Sequence, residues 1–348
     1  MRTSLAPDVT PLPVAVVIPA YNAERFVDEA LESVQRQTAP PAEVIVVDDG
    51  STDQTAAIAR ARGVTVLTQQ KLGPSAARNT AIRLTHQPWI AFLDADDVWE
   101  PQKLATQWLA VQAWPDIGGV FTDFTEFDAR GPIGGPFLSR KAHYWPLKRT
   151  ESAPGVMRCD AESFRQQFLD GNFIAPSTML VRRDLLLRAG LFDPALRHLE
   201  DRDCWLRLLA FPTITLAVVE QSLMRSRIHD VNLTNNRFGM AVAEIMLTER
   251  ILAHPWRYPL GTAERYRSKQ ASAYLDAGRW AEDRGELRQA RQYYLQCWRL
   301  GGGLSPLTLF VLCHLPAPVH AVLRATLRRL RSAVATVMRR QRSAGEGS

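Results

Sequence analysis

The sequence predicts an α/β protein: a doubly wound, mostly parallel sheet followed by an all-helical C-terminal region. Three observations carry this expectation. Short apolar runs alternate with helix-like stretches through the first hundred residues, acidic residues collect at the carboxyl ends of those runs, and after about residue 236 the pattern is helical throughout. Strands and helices in alternation give parallel βαβ units with right-handed crossovers. Such sheets bind ligands at the carboxyl ends of their strands.

The strands come first. VAVVIP (14 to 19), EVIVVD (43 to 48), VTVLT (64 to 68) and WIAFLD (89 to 94) are short and nearly continuous in apolar character, as strands buried on both faces require. Helical stretches follow at Ala23 to Gln37, Asp53 to Arg62, Pro74 to Leu84 and Pro101 to Trp114. The last three open with Asp or with Pro near the first turn, which are helix start signals.

Length and composition set the frame. With 348 residues, 46% hydrophobic and 22% charged, the chain has ordinary globular usage and room for two or three domains. Disordered, collagen-like and coiled-coil classes are excluded. The four cysteines, Cys159, Cys204, Cys297 and Cys313, show neither CxxC nor zinc-ligand spacing, and so suit a reducing compartment. The first dozen residues lack an apolar core of the signal-peptide kind, so the expected location is cytoplasmic. The net charge of +6 is a property of the tail: seven arginines and one acid lie after position 323, and basic and acidic residues balance before it. Nucleic acid is therefore not an expected partner.

Polar residues gather at three strand ends: Pro19 to Asn22, Asp48 to Asp53, and Asp94 to Asp97. Asp53 alone would read as a helix cap as readily as a ligand. Asp94 and Asp96, two apart on a strand end, point the same way and repel unless a cation joins them. Hard oxygen donors of this kind suit Mg²⁺ or Mn²⁺ holding a substrate's phosphates. Neither GxxxxGK[ST] nor GxGxxG occurs, which removes the P-loop and dinucleotide routes. Arg78, one turn into a helix that opens with Gly73 and Pro74, is the candidate phosphate partner; a solvated helix arginine is the alternative.

VVIPAYNAE (16 to 24), VDDGSTD (47 to 53), GPSAARN (73 to 79), FLDADD (92 to 97) and LEDRDCWLRL (199 to 208) resemble, in order and spacing, the motifs of glycosyltransferase family 2. The resemblance covers about residues 13 to 235. It implies a GT-A fold and an inverting, metal-dependent transfer of one sugar from a nucleoside-diphosphate sugar, a UDP- or dTDP-sugar above all, to a glycan or lipid-linked acceptor. It places Pro19, Ala20, Tyr21, Glu24, Asp49, Ser51, Arg78, Asp94 and Ala95 around the donor nucleotide. Asp96, with Asp94, would meet the metal, and His229 in the RSRIHD loop would reach the metal or diphosphate. Asp201 becomes the general base and Glu200 its neighbour on the acceptor side. The bland reading of these two acids is that they cap the helix that follows. Asn172, Ser177 and Trp205 are further acceptor-side candidates, with turn, strand or core duty as the alternative for each.

The chemistry agrees with the resemblance. An inverting displacement needs a carboxylate on the face opposite the leaving group, separate from the acids that serve the diphosphate. The family's processive members carry QxxRW and flanking transmembrane helices; neither occurs here, which favours single additions. The stretch from Glu126 to Asp160, with Phe137, Tyr144 and Trp145, is expected to set acceptor choice through stacking aromatics or to anchor loops.

The expected organisation is a loose extension over 1–12, a GT-A domain over 13–235, a helical region over 236–303 and an apolar plus basic tail over 304–348. Residues 271 to 300 resemble one tetratricopeptide-type helix pair, with Tyr274, Gly278, Gly285, Ala290 and Tyr294 at packing positions; it would pack on the body or meet a partner. Residues 300 to 323 lack Lys, Arg, Asp and Glu, but Pro306, Pro316 and Pro318 break them up. The basic amphipathic segment after them, with Val322, Leu323, Leu327, Leu330 and Val334 on one side, reads as an interfacial anchor on an anionic membrane, at the inner face of the plasma membrane, or as a tail folded back onto the body. Cell-envelope or exopolysaccharide assembly fits this enzyme. A non-catalytic scaffold working through the helical region is the rival function.

Overall fold

The computed structural model describes residues 10–326 apart from 143, 145, 154, 231, 233, 234, 259, 260, 317, 321 and 324. Trp145 and the tail residues Leu327, Leu330 and Val334 fall outside the described residues.

The strands are β1 (Leu12–Ala20), β2 (Pro41–Asp48), β3 (Thr65–Thr68), β4 (Trp89–Phe92), β5 (Val98–Trp99), β6 (Gly119–Asp128), β7 (Gly131–Ile133), β8 (Arg149–Ala153), β9 (Val156–Cys159), β10 (Leu180–Arg182) and β11 (Leu216–Arg227). The helices are α1 (Val27–Gln35), α2 (Thr55–Ala61), α3 (Pro74–Leu84), α4 (Lys103–Ala113), α5 (Ala161–Asp170), α6 (Arg183–Ala189), α7 (Glu200–Leu209), α8 (Arg237–Ala253), α9 (Ala263–Asp283), α10 (Leu287–Arg299) and α11 (Leu304–Leu312). One sheet runs in the order β3-β2-β1-β4-β10-β6-β11-β9-β8, with β5 on β11 and β7 on β6.

The β1–β2, β1–β4, β2–β3 and β6–β11 pairs are parallel. Strand β10 lies antiparallel between β4 and β6, so the sheet is mixed at its centre. Val14 to Ile18 of β1 and Ile45 to Val47 of β2 are wholly buried, as their unbroken apolar runs require. Strand β3 departs from that expectation. It stands at the edge of the sheet, with Thr65 and Thr68 exposed, because among the described residues only β2 pairs with it.

Two further expectations shift. Helix α1 starts at Val27 rather than Ala23, because the Ala23 and Glu24 amides are held by Thr55 Oγ1 and Asp53 Oδ2 in a turn. Strand β4 ends at Phe92, so residues 94–97 form a turn, closed by Asp97 N donating to Asp94 O at 3.0 Å.

The fold divides into two compact units. The first takes Met1–Asn235 and His254–Gly261; the second takes Asn236–Ala253 and Thr262–Ser348. In the first, Tyr258 Oη donates to Asp203 Oδ1 at 2.5 Å, which ties the returning segment to α7. In the second, α9 and α10 form an antiparallel pair turned at Gly285, whose φ of +78° is in the left-handed region that glycine favours. A Cβ at Gly278 would meet the Tyr294 ring at 2.5 Å, so only glycine lets the two helices approach this closely. No described helix is long and apolar enough to cross a membrane.

Candidate active site

Three loops meet at the carboxyl ends of β1, β2 and β4. Asn22, at a positive φ of 47°, accepts from Thr52 N at 2.9 Å while its own amide donates to Ser51 Oγ at 2.9 Å. Glu24 Oε2 accepts from Gln54 N at 3.0 Å. Ser51 and Glu24 thus join the first two loops to each other. Asp49 is buried, and its carboxylate takes Leu72 N at 2.9 Å, Gly73 N at 2.8 Å and Gln69 Nε2 at 2.7 Å. These bonds hold the loop over 69–73 against the strand ends. Gly50 makes this possible: its φ is +79°, and a Cβ there would press on Gln69 O and Lys71 N at 3.3 Å. Tyr21 stays 41% exposed, with the Lys71 ammonium 3.9 Å from its ring centroid. Pro19 and Ala20 supply backbone beneath it, and Ala20 O accepts from Asp49 N at 2.8 Å.

The fixed loop delivers α3, whose first turn opens with Gly73 and Pro74, and α3 delivers Arg78. Arg78 is 3% exposed, not a solvated helix arginine. Its Nη2 donates to Asp94 Oδ1 at 2.7 Å and its Nη1 to Glu200 Oε1 at 2.9 Å. Burial works against its charge, but the charges of Asp94 and Glu200 outweigh burial and push its pKa up. One guanidinium therefore bridges the acid turn after β4 and the start of α7.

The acid turn is built from below. Asp94 N donates to Ser177 Oγ at 2.9 Å, and Trp99 Nε1 donates to Ser177 O at 2.8 Å. Ser177 is wholly buried, which removes it from the acceptor-side set: its hydroxyl is used by the turn. Asp97, which sequence reasoning passed over, is buried and accepts from Arg227 N at 3.1 Å. Burial, then the charges of Asp96 and Asp94, push its pKa well above the usual carboxylate range. The only sequence signal for it was its place in the acidic run.

Asp94 and Asp96 do face a common region, though through the turn rather than strand alternation. Asp96 Oδ2 lies 2.8 Å from His229 Nε2. The imidazole stacks on Phe26, ring centroids 4.9 Å apart, and its Nδ1 is a buried atom with no hydrogen-bond partner. Burial, then the charge of Asp94, raise the Asp96 pKa, while His229 lowers it. Two carboxylates that repel, with an imidazole beside them, fit a divalent cation of the Mn²⁺ or Mg²⁺ kind. Since Asp94 is committed to Arg78, Asp96 and His229 are the pair that would hold it.

Helix α7 presents Glu200 and Asp201 on its first turn, after Leu199 at a positive φ of 59°. Leu199, the N-cap residue, offers no side-chain cap, and the acids of the first turn complement the positive end of the helix as well as facing the site. Asp201 Oδ2 accepts from Asn172 Nδ2 at 2.8 Å. Burial, then the Glu200 charge, push the Asp201 pKa up to about 7, against the smaller opposing effects of the Arg202 backbone amide, Asn172 and Arg78. Trp205 is not on the acceptor side. It is 1% exposed and packs in the core between Phe92 and Phe192, at centroid distances of 6.1 and 5.7 Å. One turn beyond Asp201 on the same helix face, its ring is enclosed by these two phenylalanines. Phe137 stacks on Phe124 at 4.1 Å and Tyr144 is buried with its hydroxyl on Glu220, so both anchor loops.

A Rossmann-like sheet that gathers acids from its strand ends around one buried arginine, and faces them with a second acidic pair on a later helix, defines a domain of GT-A type. Residues 15–186 match the family model described as glycosyl transferase family 2. Residues 15–186 thus form a domain of that family. An uncharacterised glycosyltransferase of Rickettsia typhi is 26% identical over 64% of this chain and 66% of its own length. The succinoglycan biosynthesis protein ExoU of Rhizobium meliloti is 33% identical over 58% of each chain. The chain thus spans somewhat less than two thirds of these relatives. Among solved structures, S. aureus TarS 1–349 in complex with UDP-GlcNAc superposes with a TM-score of 0.57 at 18% identity, covering 81% of this chain and 79% of that one. The mannosyltransferase PcManGT of Pyrobaculum calidifontis, in complex with GDP-Man and Mn²⁺, gives 0.53 at 19% identity over 95% and 90%. At these identities the likeness concerns the fold.

Proposed function

We propose that the protein is an inverting, divalent-metal-dependent glycosyltransferase that moves one sugar from a nucleoside-diphosphate sugar to a hydroxyl of a glycan or lipid-linked acceptor. The observation that carries this reading is the bridge made by Arg78 between Asp94 and Glu200. It joins a carboxylate set suited to a leaving diphosphate to a second set suited to an incoming hydroxyl. A scaffold that had left catalysis behind would have no use for that pairing.

Asp201 is the base in this reading. Its raised pKa puts its conjugate acid near neutrality, where a general base removes a proton most effectively. Asn172 fixes one carboxylate oxygen by donating to it, so that the other faces the acceptor hydroxyl. Glu200, pinned by Arg78, lies beside it, and its charge helps keep that pKa high. On the donor side Tyr21 offers an exposed ring face, and Asp49 fixes the loop that carries α3 and Arg78. Pro19, Ala20, Ser51, Glu24 and Ala95 shape the strand-end walls. Asp96 and His229, with Asp94 adding charge, would hold a divalent cation, which would supply Lewis-acid stabilisation of the departing diphosphate.

Sugar nucleotides of two kinds occur in the related folds, UDP-GlcNAc in TarS and GDP-Man in PcManGT. A uridine or thymidine diphosphate sugar is the donor proposed here. ExoU is a succinoglycan biosynthesis protein and another relative is the chondroitin synthase of Escherichia coli, which supports a role in polysaccharide or cell-envelope assembly. Exposed Leu304, Val311, Val322 and Leu323 precede the basic tail and support a peripheral seat on an anionic membrane, at its cytoplasmic face.

The test is a thermal-shift panel of nucleoside diphosphates and nucleotide sugars, with and without Mn²⁺, since a ligand of the native state raises stability by mass action. Metal-dependent stabilisation by one sugar nucleotide, followed by product formation with inversion at the anomeric carbon, is the expected result. Retention of configuration, or no shift with any donor, would overturn the reading.

A further inference from the structure

The second unit holds three side chains that sugar transfer does not use. Glu282 stands near the end of α9, Cys313 follows α11 directly, and His320 lies in the helical turn beyond. Their relative exposures are 7%, 2% and 8%, so three chemically active groups are withdrawn from water in one place. His320 Nε2 lies 2.8 Å from Glu282 Oε1 and 4.0 Å from Cys313 Sγ, and one ligand atom from each residue falls within 4.8 Å of the others.

Those separations suit a metal centre. Zinc binds thiolate at about 2.3 Å, imidazole at about 2.0–2.1 Å and carboxylate at about 2.0–2.2 Å, so the ligands of a tetrahedral site stand roughly 3.2–3.7 Å apart. The observed 2.8 and 4.0 Å straddle that range, and shifts of well under an ångström in side chains would meet it. The donor set is selective too. A thiolate with an imidazole favours zinc over the hard cations that the acid turn after β4 would take. Charge closes the argument: one thiolate and one carboxylate neutralise Zn²⁺, leaving a neutral centre in an apolar interior. Leu309 and Ala281 pack in the same cluster as Cys313.

The surrounding residues hold the set in place. Tyr294 Oη donates to Glu282 Oε2 at 2.5 Å, leaving Oε1 on the side of His320. A ligating carboxylate that is itself hydrogen-bonded is a recurrent feature of protein metal sites. Tyr294 in turn is seated against Gly278, so the position of Glu282 is fixed by the close approach of α9 and α10.

We propose that Glu282, Cys313 and His320 form a three-ligand zinc site in the helical unit that staples the end of α9 to the segment following α11. Binding at neutral pH releases the Cys313 thiol proton and requires His320 neutral.

The experiment uses the full-length chain, stripped with a chelator and titrated with Co²⁺ and with Zn²⁺. Wild type should take up one equivalent of Co²⁺ with a near-ultraviolet thiolate-to-cobalt charge-transfer band, and Zn²⁺ should bleach it. Cys313→Ser, close to isosteric, should lose the band, and Tyr294→Phe should weaken zinc affinity about 10–100-fold. Asp96→Ala should keep the charge-transfer band and its one-equivalent end point, which separates this site from the one at the acid turn after β4. Absence of the band in wild type overturns the proposal without any variant. A band that survives in Cys313→Ser places the thiolate elsewhere and overturns it equally.

Discussion

Arg78 and Glu200, 122 residues apart in the chain, are joined in a buried ion pair at 2.9 Å, while the second arm of the same guanidinium holds Asp94 at 2.7 Å. The two halves of the site are therefore a single electrostatic unit. Removing its cation leaves two carboxylates without their counter-charge.

Arg78→Ala should accordingly lower both stability and transfer. Breaking a buried pair by deleting one partner costs about 3–5 kcal/mol, and part of that is recovered here because Asp94 is about one-third exposed. Arg78→Lys should not rescue it, since one ammonium cannot match a fork that reaches two carboxylates at once. Chemical denaturation and initial rates read the two effects separately.

For Asp201 the expectation concerns pH. Turnover should rise with pH through an apparent pKa of about 7, as the carboxylate loses its proton. Asn172 lowers that pKa by donating to the ionised form, so Asn172→Ala should move the profile to higher pH. Asp201→Asn should cut turnover about 10²–10⁴-fold while leaving nucleotide affinity nearly unchanged. The sign for stability is opposite to that for activity. A carboxyl whose folded pKa is raised favours the folded state less as pH climbs from about 4 to about 7, so Asp201→Asn should gain stability relative to wild type over that window. A flat pH–rate profile in the wild type would argue against Asp201 as the base.

Asp96→Ala tests the metal. It removes the partner of His229 and one of two mutually repelling carboxylates, so Mn²⁺-dependent donor binding should weaken by tenfold or more in a titration. Donor affinity without metal should change little. Equal Mn²⁺ dependence in wild type and variant would take Asp96 out of the metal site.

Membrane attachment calls for a truncation placed with the structure in view. Leu309 and Cys313 belong to a buried cluster of the helical unit, so a cut after Leu300 would damage the core. A cut after Thr326 removes the basic segment alone. It should release the protein from vesicles of anionic lipid in a sedimentation assay, and undiminished binding would locate attachment elsewhere.

Much of this was legible in the residues because burial and chemistry agree there. The runs at 14 to 19 and 43 to 48 lie on strands that are buried through most of their length, and the acids after them converge as their positions imply. Legibility failed where a side chain has two uses. Ser177 looked like a sugar contact, yet its hydroxyl is taken by Asp94 N, and this is a tertiary contact across 83 residues that no local pattern announces. Trp205 has the composition of a stacking aromatic and the surroundings of a core residue. Asp97 was hidden by its neighbours: a run of acids does not say which of them turns inward. The bridge through Arg78 is likewise a property of the fold, since its two carboxylates lie on elements that only the sheet brings together.

The link between Tyr258 and Asp203 has a practical corollary. A shortened protein ending at Asn235 would strand the Asp203 carboxylate, already paired to Arg207, without the phenol that completes its shell. Ending at Gly261 restores the phenol but carries α8 along, whose Ala241 and Ile245 are covered by Ala273 and Ala277 of α9. That version would display a bare apolar stripe and tend to self-associate. The polypeptide cannot be parted by one cut, and the transferase must be produced together with its helices.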